Sequence, residues 1–218
     1  MSFGFSMHVQ TDQGLDFTME PLLASDAATI AVGMQSYEVA RTLGLPSAQV
    51  ERDEDEWFEK CRTDADSIMW SLRVDGEPIG ITSLHKRPGR HSSGSVIFRR
   101  DMWGKQIAKS AHRVRCLYAV HVLDLLAIES EVLYGNAASI KALISAGYAE
   151  IGIEPAAWFR DGERRHMHRL LWVNPSDRAW NYFWGEAGVP PVLQKVMPEA
   201  RTRALEALDW AQEHSAFM

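Results

Sequence analysis

A single glycine lies between a short apolar strand pattern and a long helical pattern, in the stretch WGKQIAKSA at Trp103–Ala111. The first N–H groups of a helix have no intrahelical acceptor, and the helix dipole places partial positive charge at that end. Gly104 permits a positive φ or a close backbone approach, and Lys105 and Lys109 add charge. A phosphate or pyrophosphate is the group that such a helix start binds. Taken alone the signal is weak, because any strand–turn–helix with one glycine shares it.

Two further sets of polar residues can take part in proton transfer. Asn136 and Ser139 open a second helical pattern, where a serine hydroxyl either caps the helix or donates a proton. His166 and His168 are two residues apart, so they share one face of a strand, and a neutral imidazole can accept an ammonium proton. The same two residues also fit a plain surface strand. A His-x-His pair can begin a metal site, but no third ligand is evident, so no metal is predicted.

Apolar periodicity and turn residues predict the elements that position these groups. Two Asp-Gly pairs, Asp75-Gly76 and Asp161-Gly162, mark hairpin turns. The predicted order is a strand in 15–23, helices in Ser25–Gly44 and Ser47–Arg62, a hairpin over Ser67–Arg87, a loop at Arg87–Gly94, a strand at Ser95–Arg100, a helix over Gly104–Leu123, a strand at Ala127–Leu133, a helix over Asn136–Ala146 and two final strands within 149–173. This mixed order predicts an α+β or α/β layered fold with a partly parallel sheet.

The composition changes after Val173. Residues 175–218 hold several aromatic residues and prolines, followed by an amphipathic helical pattern with Ala204, Leu205, Leu208 and Ala211 on one side. We therefore predict a main domain at 14–174 and a helical C-terminal extension at 175–218 that packs on the domain or on a partner subunit. The aromatic residues of the extension favour a homodimer.

The overall composition is that of a globular domain, with 218 residues of which 46% are hydrophobic and 24% charged. The net charge of −6 argues against a nucleic-acid partner. Cys61 and Cys116 fit no metal spacing and suit a reducing compartment. The first residues show no signal-peptide pattern, and no apolar run approaches the ~20 residues of a membrane span. We expect a soluble cytoplasmic protein without a membrane partner.

Three motifs give the span from Leu15 to Val173 a resemblance to the GNAT superfamily of acyl-CoA-dependent N-acyltransferases. WGKQIAKSA resembles the pyrophosphate loop of that family, NAASIKALISAGY at Asn136–Tyr148 resembles its later helix, and DGEPIGITSL at Asp75–Leu84 resembles its central hairpin. The order and spacing of all three agree. The span looks most like the branch that acetylates the N-termini of ribosomal proteins. The resemblance implies the GNAT fold, a mixed central sheet of about seven strands flanked by helices.

The resemblance also implies acetyl-CoA, or a related acyl-CoA, as co-substrate between the fourth and fifth strands, and direct attack of an amine on the thioester. Ser139 is expected to protonate the departing thiolate, because Leu143 stands where many relatives carry a tyrosine. Asn136 is expected to hold the pantetheine arm or the strand–helix junction. The residues expected around the pyrophosphate are Trp103, Gly104, Lys105, Gln106, Ile107 and Ala108.

The sequence does not identify which residue is the base that takes the amine proton. Many relatives carry a glutamate at the start of the fourth strand, but the matching position here is about Ser93. Glu129 and Glu131 on the fifth strand, and His168 or His166 on the last strand, are the candidates, although charged strand residues more often face solvent. Trp158, in the loop between the last strands, is a candidate to border the acceptor.

We therefore expect an N-acetyltransferase whose acceptor is a primary amine: a protein N-terminus, a small-molecule amine or an amino sugar. A modified nucleobase suits the acidic composition less well. Gln106 replaces the second glycine of the family loop, and Ser95 replaces another common glycine. These departures leave open a second hypothesis, a catalytically degenerate GNAT-fold module that binds acyl-CoA or a protein partner.

Overall fold

A computed structural model describes residues 3–43, 51–87, 90–160 and 162–218. Within these ranges the chain forms nine strands and seven helices. It divides into two compact units. Unit 1 comprises Met1–Lys86, Ser93–Ala111 and His214–Met218, and unit 2 comprises Arg87–Ser92 and His112–Glu213.

Unit 1 is built on antiparallel strands with three helices. Its elements are β1 (Met7–Gln10), β2 (Asp16–Glu20), α1 (Ala27–Met34), α2 (Tyr37–Leu43), α3 (Glu51–Thr63), β3 (Ser67–Val74), β4 (Glu77–Arg87), most of β5 (Arg90–Ile97), the start of α4 (Ile107–His121) and β9 (Ser215–Phe217). The strand order within the unit is β9-β1-β2-β3-β4-β5. Asp75 and Gly76 both have positive φ values, 51° and 78°, as a two-residue hairpin turn requires, so the predicted β3–β4 turn is confirmed.

The helices of unit 1 cover one face of its sheet. The apolar side chains of this core cluster are Leu22, Ile30, Met34, Val39, Cys61, Met69, Val96 and Phe98. Removing such side chains from water stabilises the unit by roughly 1.5–3 kcal/mol for each large one. The cluster fixes β4 and β5, whose polar residues are considered below.

A buried ion pair ties the start of the first helix to the sheet. The guanidinium of Arg73 on β3 donates to both oxygens of Asp26, at 2.7 and 2.5 Å, and to the carbonyl of Gly76 at 3.0 Å. Asp26 also accepts the N–H of Leu23 at 3.0 Å. Both charged side chains are buried, so Asp26 depends on Arg73 for compensation, while Arg73 also has Glu20 at 3.4 Å.

Unit 2 contains a three-stranded antiparallel sheet with helices. Its elements are β6 (Ala127–Leu133), α5 (Ala137–Ser145), β7 (Ala149–Arg160), β8 (Glu163–Val173), α6 (Asp177–Trp184) and α7 (Val196–His214), together with the rest of α4. The strand order is β6-β8-β7. Val132 on β6 and Ile153 on β7 both pair with His168 on β8. The side chains of these three residues therefore lie on the same face of the sheet.

Helix α7 packs against its own unit through small residues. Met197, Ala200, Ala204, Ala207 and Ala211 are buried, and Met197 and Ala200 join a core cluster with residues of β6, β7 and β8. The predicted apolar side was wrong in one position, because Leu205 is 48% exposed and Ala207 lies inward in its place. Small side chains allow the helix to approach the backbone that follows α5 closely.

The structure corrects several predicted boundaries. Residues 90–94, predicted as a loop, belong to β5, and the predicted strand at Ser95–Arg100 ends at Ile97. The polar composition misled the prediction, because these residues pair with β4 as its neighbour in the sheet. The helix predicted over Ser25–Gly44 is interrupted after Met34. Residues that the predictions included but that lie outside the described ranges are Gly44, Ser47, Pro88, Gly89 and Asp161.

Two strands were not predicted at all. β1 and β9 pair with each other, with Met7 opposite Phe217 and Val9 opposite Ser215. They bring the strands to nine in the described residues instead of about seven. No helix among the described residues is long and apolar enough to cross a bilayer.

Candidate active site

The start of α4 in unit 1 offers unpaired backbone donors. Its first intrahelical bond runs from the N–H of Ser110 to the carbonyl of Gln106, at 3.0 Å. The N–H groups of Ile107, Ala108 and Lys109 precede that bond, so they have no acceptor inside the helix. The side chain of Ile107 is 1% exposed, so this residue can contribute only its backbone.

The turn before α4 is held in a left-handed conformation at two places. Gly104 has φ +79°, and a Cβ there would meet no atom within 4 Å, which leaves open space above the turn. Gln106 has φ +62°, a conformation that glycine adopts without strain and glutamine does not. Gln106, which stands where the resemblance led us to expect a glycine, therefore holds a backbone conformation that is typical of glycine.

The side chains around this turn carry less free charge than the sequence indicated. Lys109 Nζ lies 2.7 Å from Asp12 Oδ2 and 3.3 Å from Gln106 Oε1, so its charge is compensated by a carboxylate. Lys105 contacts the sulfur of Met102 at 3.7 Å. The indole N–H of Trp103 donates to the carbonyl of Ile97 at 2.8 Å, which anchors the turn to the end of β5. The anion preference of this turn therefore rests mainly on backbone N–H groups and open space, which fit a diphosphate.

In unit 2, the junction between β6 and α5 is capped as predicted. Asn136 Oδ1 accepts the N–H of Ser139 at 3.2 Å, which makes Asn136 the N-cap. Ser139 therefore lies in the first turn and is half-buried. Its hydroxyl makes no hydrogen bond to any described part of the protein, so it is available to a ligand.

His168 on β8 is paired with a carboxylate. Its Nδ1 lies 3.1 Å from Glu150 Oε1 on β7, and its ring stacks on Tyr134 with 5.4 Å between centroids and 4° between planes. A carboxylate only accepts, so Nδ1 carries the proton and Nε2 of the neutral ring keeps its lone pair. No local sequence signal pointed to Glu150, because Glu150 and His168 are diagonal neighbours on two paired strands.

His166 has a different role from His168. Its Nδ1 accepts the N–H of Ala156, at 3.0 Å, in a bulge of β7 where Ala156 has φ +54°. Tyr134 meets its ring edge-on at 5.8 Å. The two imidazoles are thus engaged with separate partners, and the described residues contain no cluster of ligands suited to a metal ion.

Glu129 lies on the other face of this sheet from His168. Glu129 pairs with Leu171, whereas His168 pairs with Val132, three residues further along β6. An odd separation on a strand places side chains on opposite faces. Leu171 belongs to the cluster beneath α7, so Glu129 shares the face that α7 covers. The register therefore separates the two predicted bases.

Cys116 in α4 is not a nucleophile. Burial raises the pKa of its thiol to about 12, although Arg115 and a hydrogen bond with Tyr148 oppose that shift. The thiolate, which is the reactive form, is therefore not populated near neutral pH.

A hydrogen-bonded chain in unit 1 was not predicted. It runs from Asp64, after α3, through Ser67 on β3 and His85 on β4 to Ser83 on β4. Ser67 Oγ donates to Asp64 Oδ2 at 2.5 Å, and each ring nitrogen of His85 lies 2.8 Å from a serine oxygen. Only the register that places Ser67 opposite His85 brings these residues together.

Solved structures with this fold come from several acetyltransferases. RimJ from Mycobacterium smegmatis, in complex with CoA-disulfide, has a TM-score of 0.69 and 14% identity, over 98% of this chain and 97% of that one. Spermidine N-acetyltransferase from Vibrio cholerae, in complex with CoA and spermine, has a TM-score of 0.66 and 16% identity, over 72% and 95%. A GNAT-family acetyltransferase from Bacillus anthracis has a TM-score of 0.65 and 14% identity, over 76% and 98%. At these identities the likeness establishes the fold.

Sequence comparison identifies the family. No curated protein sequence matches the chain significantly. The acetyltransferase (GNAT) domain family, in contrast, matches residues 16–149, which is more than half of the chain. The predicted α+β GNAT fold is therefore confirmed, and acetyl-CoA is the co-substrate that the family match and the CoA complexes of the structural neighbours support. The chain belongs to the GNAT acetyltransferases.

Proposed function

We propose that this acetyltransferase transfers the acetyl group of acetyl-CoA directly to a primary amine. The observation that carries the proposal is the pair of His168 and Glu150, in which the carboxylate holds the Nδ1 proton and leaves Nε2 to accept another. Amine acylation needs such a group, because the nitrogen must lose a proton when it forms the amide bond.

Binding of the co-substrate is assigned to the turn before α4. The backbone of Trp103, Gly104, Lys105, Gln106, Ile107 and Ala108 would hold the diphosphate, with the helix dipole favouring its charge. The open space at Gly104 supports this role. Asn136, as the N-cap of α5, would hold the pantetheine arm or fix the position of Ser139.

Ser139 is assigned the proton donor for the departing thiolate. Its hydroxyl has no other partner in the described residues, and it lies in the first turn of α5. The acetyl thioester is the chemistry that the coenzyme supplies. The chain itself supplies a hydroxyl proton at Oγ of Ser139 and a lone pair at Nε2 of His168.

His168 is preferred to Glu129 as the base. His168 is 9% exposed, and Glu150 and Tyr134 fix its ring, so its lone pair has a defined direction. Glu129 lies on the opposite face, which α7 covers. Glu129 remains a second candidate, to be tested beside it.

The acceptor class rests on charge and on the neighbours. A net charge of −6 suits a cationic amine. Spermidine N-acetyltransferase, whose named substrate is an amine, shares the fold. The likeness to RimJ extends over 98% of this chain and so includes the C-terminal segment. Whether the acceptor is a protein N-terminus or a small amine is left to the experiment.

A thiol-release assay with acetyl-CoA tests the proposal against benzylamine, spermidine, glucosamine and short peptides with free N-termini, with mass spectrometry of the product. We expect transfer to at least one amine. Ser139→Ala should lower turnover by on the order of 100-fold, and so should His168→Asn, whereas Glu129→Gln should change it little. Calorimetric binding of acetyl-CoA without transfer to any amine would favour the binding module instead.

The assembly and location remain predictions. A homodimer is proposed from the aromatic content of residues 175–218, in which Tyr182 stays 77% exposed. Light scattering of the purified chain tests it, and a monomer at micromolar concentration would contradict it. A cytoplasmic location and the division at residue 174 also stay predictions.

A further inference from the structure

The proposed base lies on a face of the unit 2 sheet that also carries exposed apolar side chains. Ile153 on β7 pairs directly with His168 on β8, so their side chains share one face. Tyr134, whose N–H donates to the carbonyl of His166 at 3.0 Å, stacks on the ring of His168 from the β6 side. Ile153 is 52% exposed and Tyr134 is 54% exposed. Apolar surface that is open to solvent therefore flanks the imidazole on two sides.

The same face continues toward the turn between β7 and β8. Phe159 on β7 pairs with Arg164, and Arg164 lies four residues before His168 on β8, an even separation that keeps both on one face. Phe159 is 63% exposed. We call the surface formed by Tyr134, Ile153 and Phe159 the apolar face. Exposed apolar surfaces of this kind mark sites that bind a ligand or a partner.

The carboxylates of these strands are not placed to bind a second cation beside the base. Among the described residues of β6, β7 and β8, only Glu150 shares the face of His168, and it is already bound to the imidazole at 3.1 Å. Glu131 and Glu154 lie on the opposite face, where both contact the guanidinium of Arg169. The acidic residues near the base are thus either engaged or turned away from it.

Arg164 adds a positive charge to the outer end of the apolar face. A polyamine with one nitrogen at His168 would bring its next ammonium group toward apolar side chains or toward this guanidinium, and like charges repel. A monoamine would instead lay its carbon skeleton on Ile153, and a longer one would extend toward Phe159, which removes apolar surface from water. The face therefore favours an acceptor with one charge and one apolar group.

We propose that the acceptor is a hydrophobic primary monoamine, whose nitrogen reaches Nε2 of His168 while its apolar group lies on Ile153 and Phe159. The inference rests on the proposed function and names its substrate class. The nitrogen forms the amide bond as the C–S bond of the thioester breaks. Of the two protons that the ammonium form loses, one ends on the sulfur of CoA and the other leaves through His168. Arylalkylamines and peptides that begin with an apolar residue share this chemistry.

A thiol-release assay measures kcat/KM for phenethylamine, a peptide that begins with phenylalanine, ethylamine and spermidine. We expect phenethylamine or the peptide to exceed ethylamine and spermidine by about 10-fold or more, and the better of the two identifies the source of the acceptor. A wild type that prefers ethylamine or spermidine, or that does not discriminate, would overturn the inference and leave the proposed function intact. A wild type that acetylates no amine would refute both.

Ile153→Thr and Phe159→Thr test the apolar face itself. Each should lower kcat/KM for the better hydrophobic acceptor by about 10-fold and change that for ethylamine by less than about 2-fold, because ethylamine has little apolar area to lose. Equal losses for both amines would indicate a general effect on the fold and overturn the inference, as would no loss. Val192→Thr, the same kind of change at a side chain that is 86% exposed, is the control and should keep both values.

Arg164→Gln tests the exclusion of polyamines. It should raise kcat/KM for spermidine by about 2- to 5-fold, the range expected for one exposed charge, with the value for phenethylamine nearly unchanged. An unchanged value for spermidine would contradict the monoamine class.

Two further outcomes would overturn the inference. Trp158, the aromatic residue expected from the sequence to border the acceptor, pairs with Arg165 and so lies on the opposite face from His168. A selective loss for phenethylamine in Trp158→Thr, without one in Ile153→Thr, would place the acceptor on that other face. Light scattering gives the second outcome: a change of oligomeric state in Ile153→Thr or Phe159→Thr would show that a second copy of the chain covers the apolar face.

Discussion

Gly147 and Ala204 meet without room for another atom. A Cβ added to Gly147 would lie 2.5 Å from the Cα of Ala204, so α7 passes directly over the backbone at the end of α5. Gly147 also has φ +92°, which ends α5 in the left-handed region that glycine adopts readily. Gly147 thus both ends α5 and allows α7 to pack closely against it.

Gly147→Ala should therefore destabilise unit 2 strongly. We expect a loss of about 2–4 kcal/mol in the free energy of unfolding, from the strained φ together with the displacement of α7. Urea denaturation followed by tryptophan fluorescence measures it. Gly152→Ala, at a glycine with open space and no positive φ, is the control and should change stability by less than about 1 kcal/mol.

Gln106→Gly should stabilise the fold slightly. The change relieves a left-handed φ of +62° that disfavours a side chain by about 1–2 kcal/mol, and the greater freedom of unfolded glycine offsets about 0.4–1 kcal/mol of that gain. Thermal unfolding should show a small rise in Tm. Gln106→Ala keeps the strain and loses the contact with Lys109, so a rise for alanine would contradict this explanation.

Asp26→Asn should cost about 3–5 kcal/mol of stability. The change removes the buried carboxylate that Arg73 contacts at 2.5 Å and leaves the guanidinium with the longer, half-buried pair to Glu20, at 3.4 Å. Denaturant unfolding gives the value. Asp177→Asn breaks an ion pair of the same 2.5 Å length with Arg201, but Asp177 is 91% exposed, so its loss should be below about 1 kcal/mol. Equal losses at both sites would show that burial does not decide the effect.

Stability should fall in acid through His112. Burial, followed by the charge of Arg115, holds the pKa of His112 well below its usual value. The unfolded chain then binds a proton below about pH 6.5 that the folded chain does not, so the free energy of unfolding falls as pH decreases, by at most about 1.4 kcal/mol per pH unit. Above pH 7, His112 does not change the free energy of unfolding with pH.

Urea unfolding between pH 5 and 8 tests this. His112→Asn, which keeps an acceptor for Arg115 at the position of Nδ1, should flatten the slope without removing the hydrogen bond seen at 2.9 Å. A slope that is unchanged in the variant would assign the acid sensitivity to other groups.

Local sequence signals predicted the elements around the site well. The N-cap at Asn136, the turn at Asp75-Gly76 and the strand at Ala127–Leu133 all rest on short-range chemistry, and all are confirmed. The pairing of Glu150 with His168 and the chain through His85 depend on strand register. Register is set by long-range packing, so composition and periodicity did not reveal these contacts.

The same distinction explains the errors. Residues 90–94 resemble a loop by composition, yet a neighbouring strand supplies the hydrogen bonds that make them a strand. β1 and β9 are too short for periodicity to reveal, and β9 pairs with β1 although more than 200 residues separate them in sequence. Leu205 follows the helical period, but the close approach at Gly147 selects small side chains instead.

The pairing of β9 with β1 has a consequence for synthesis. Ribosomes add about 5–20 residues per second, so the outer N–H and C=O groups of β1 stay uncovered until Ser215–Phe217 emerge. During that interval a strand of another nascent chain can add to the same edge. Residues Ser215–Phe217 therefore protect the edge of β1 from intermolecular strand pairing. A chain whose synthesis ended shortly before them would keep that edge exposed.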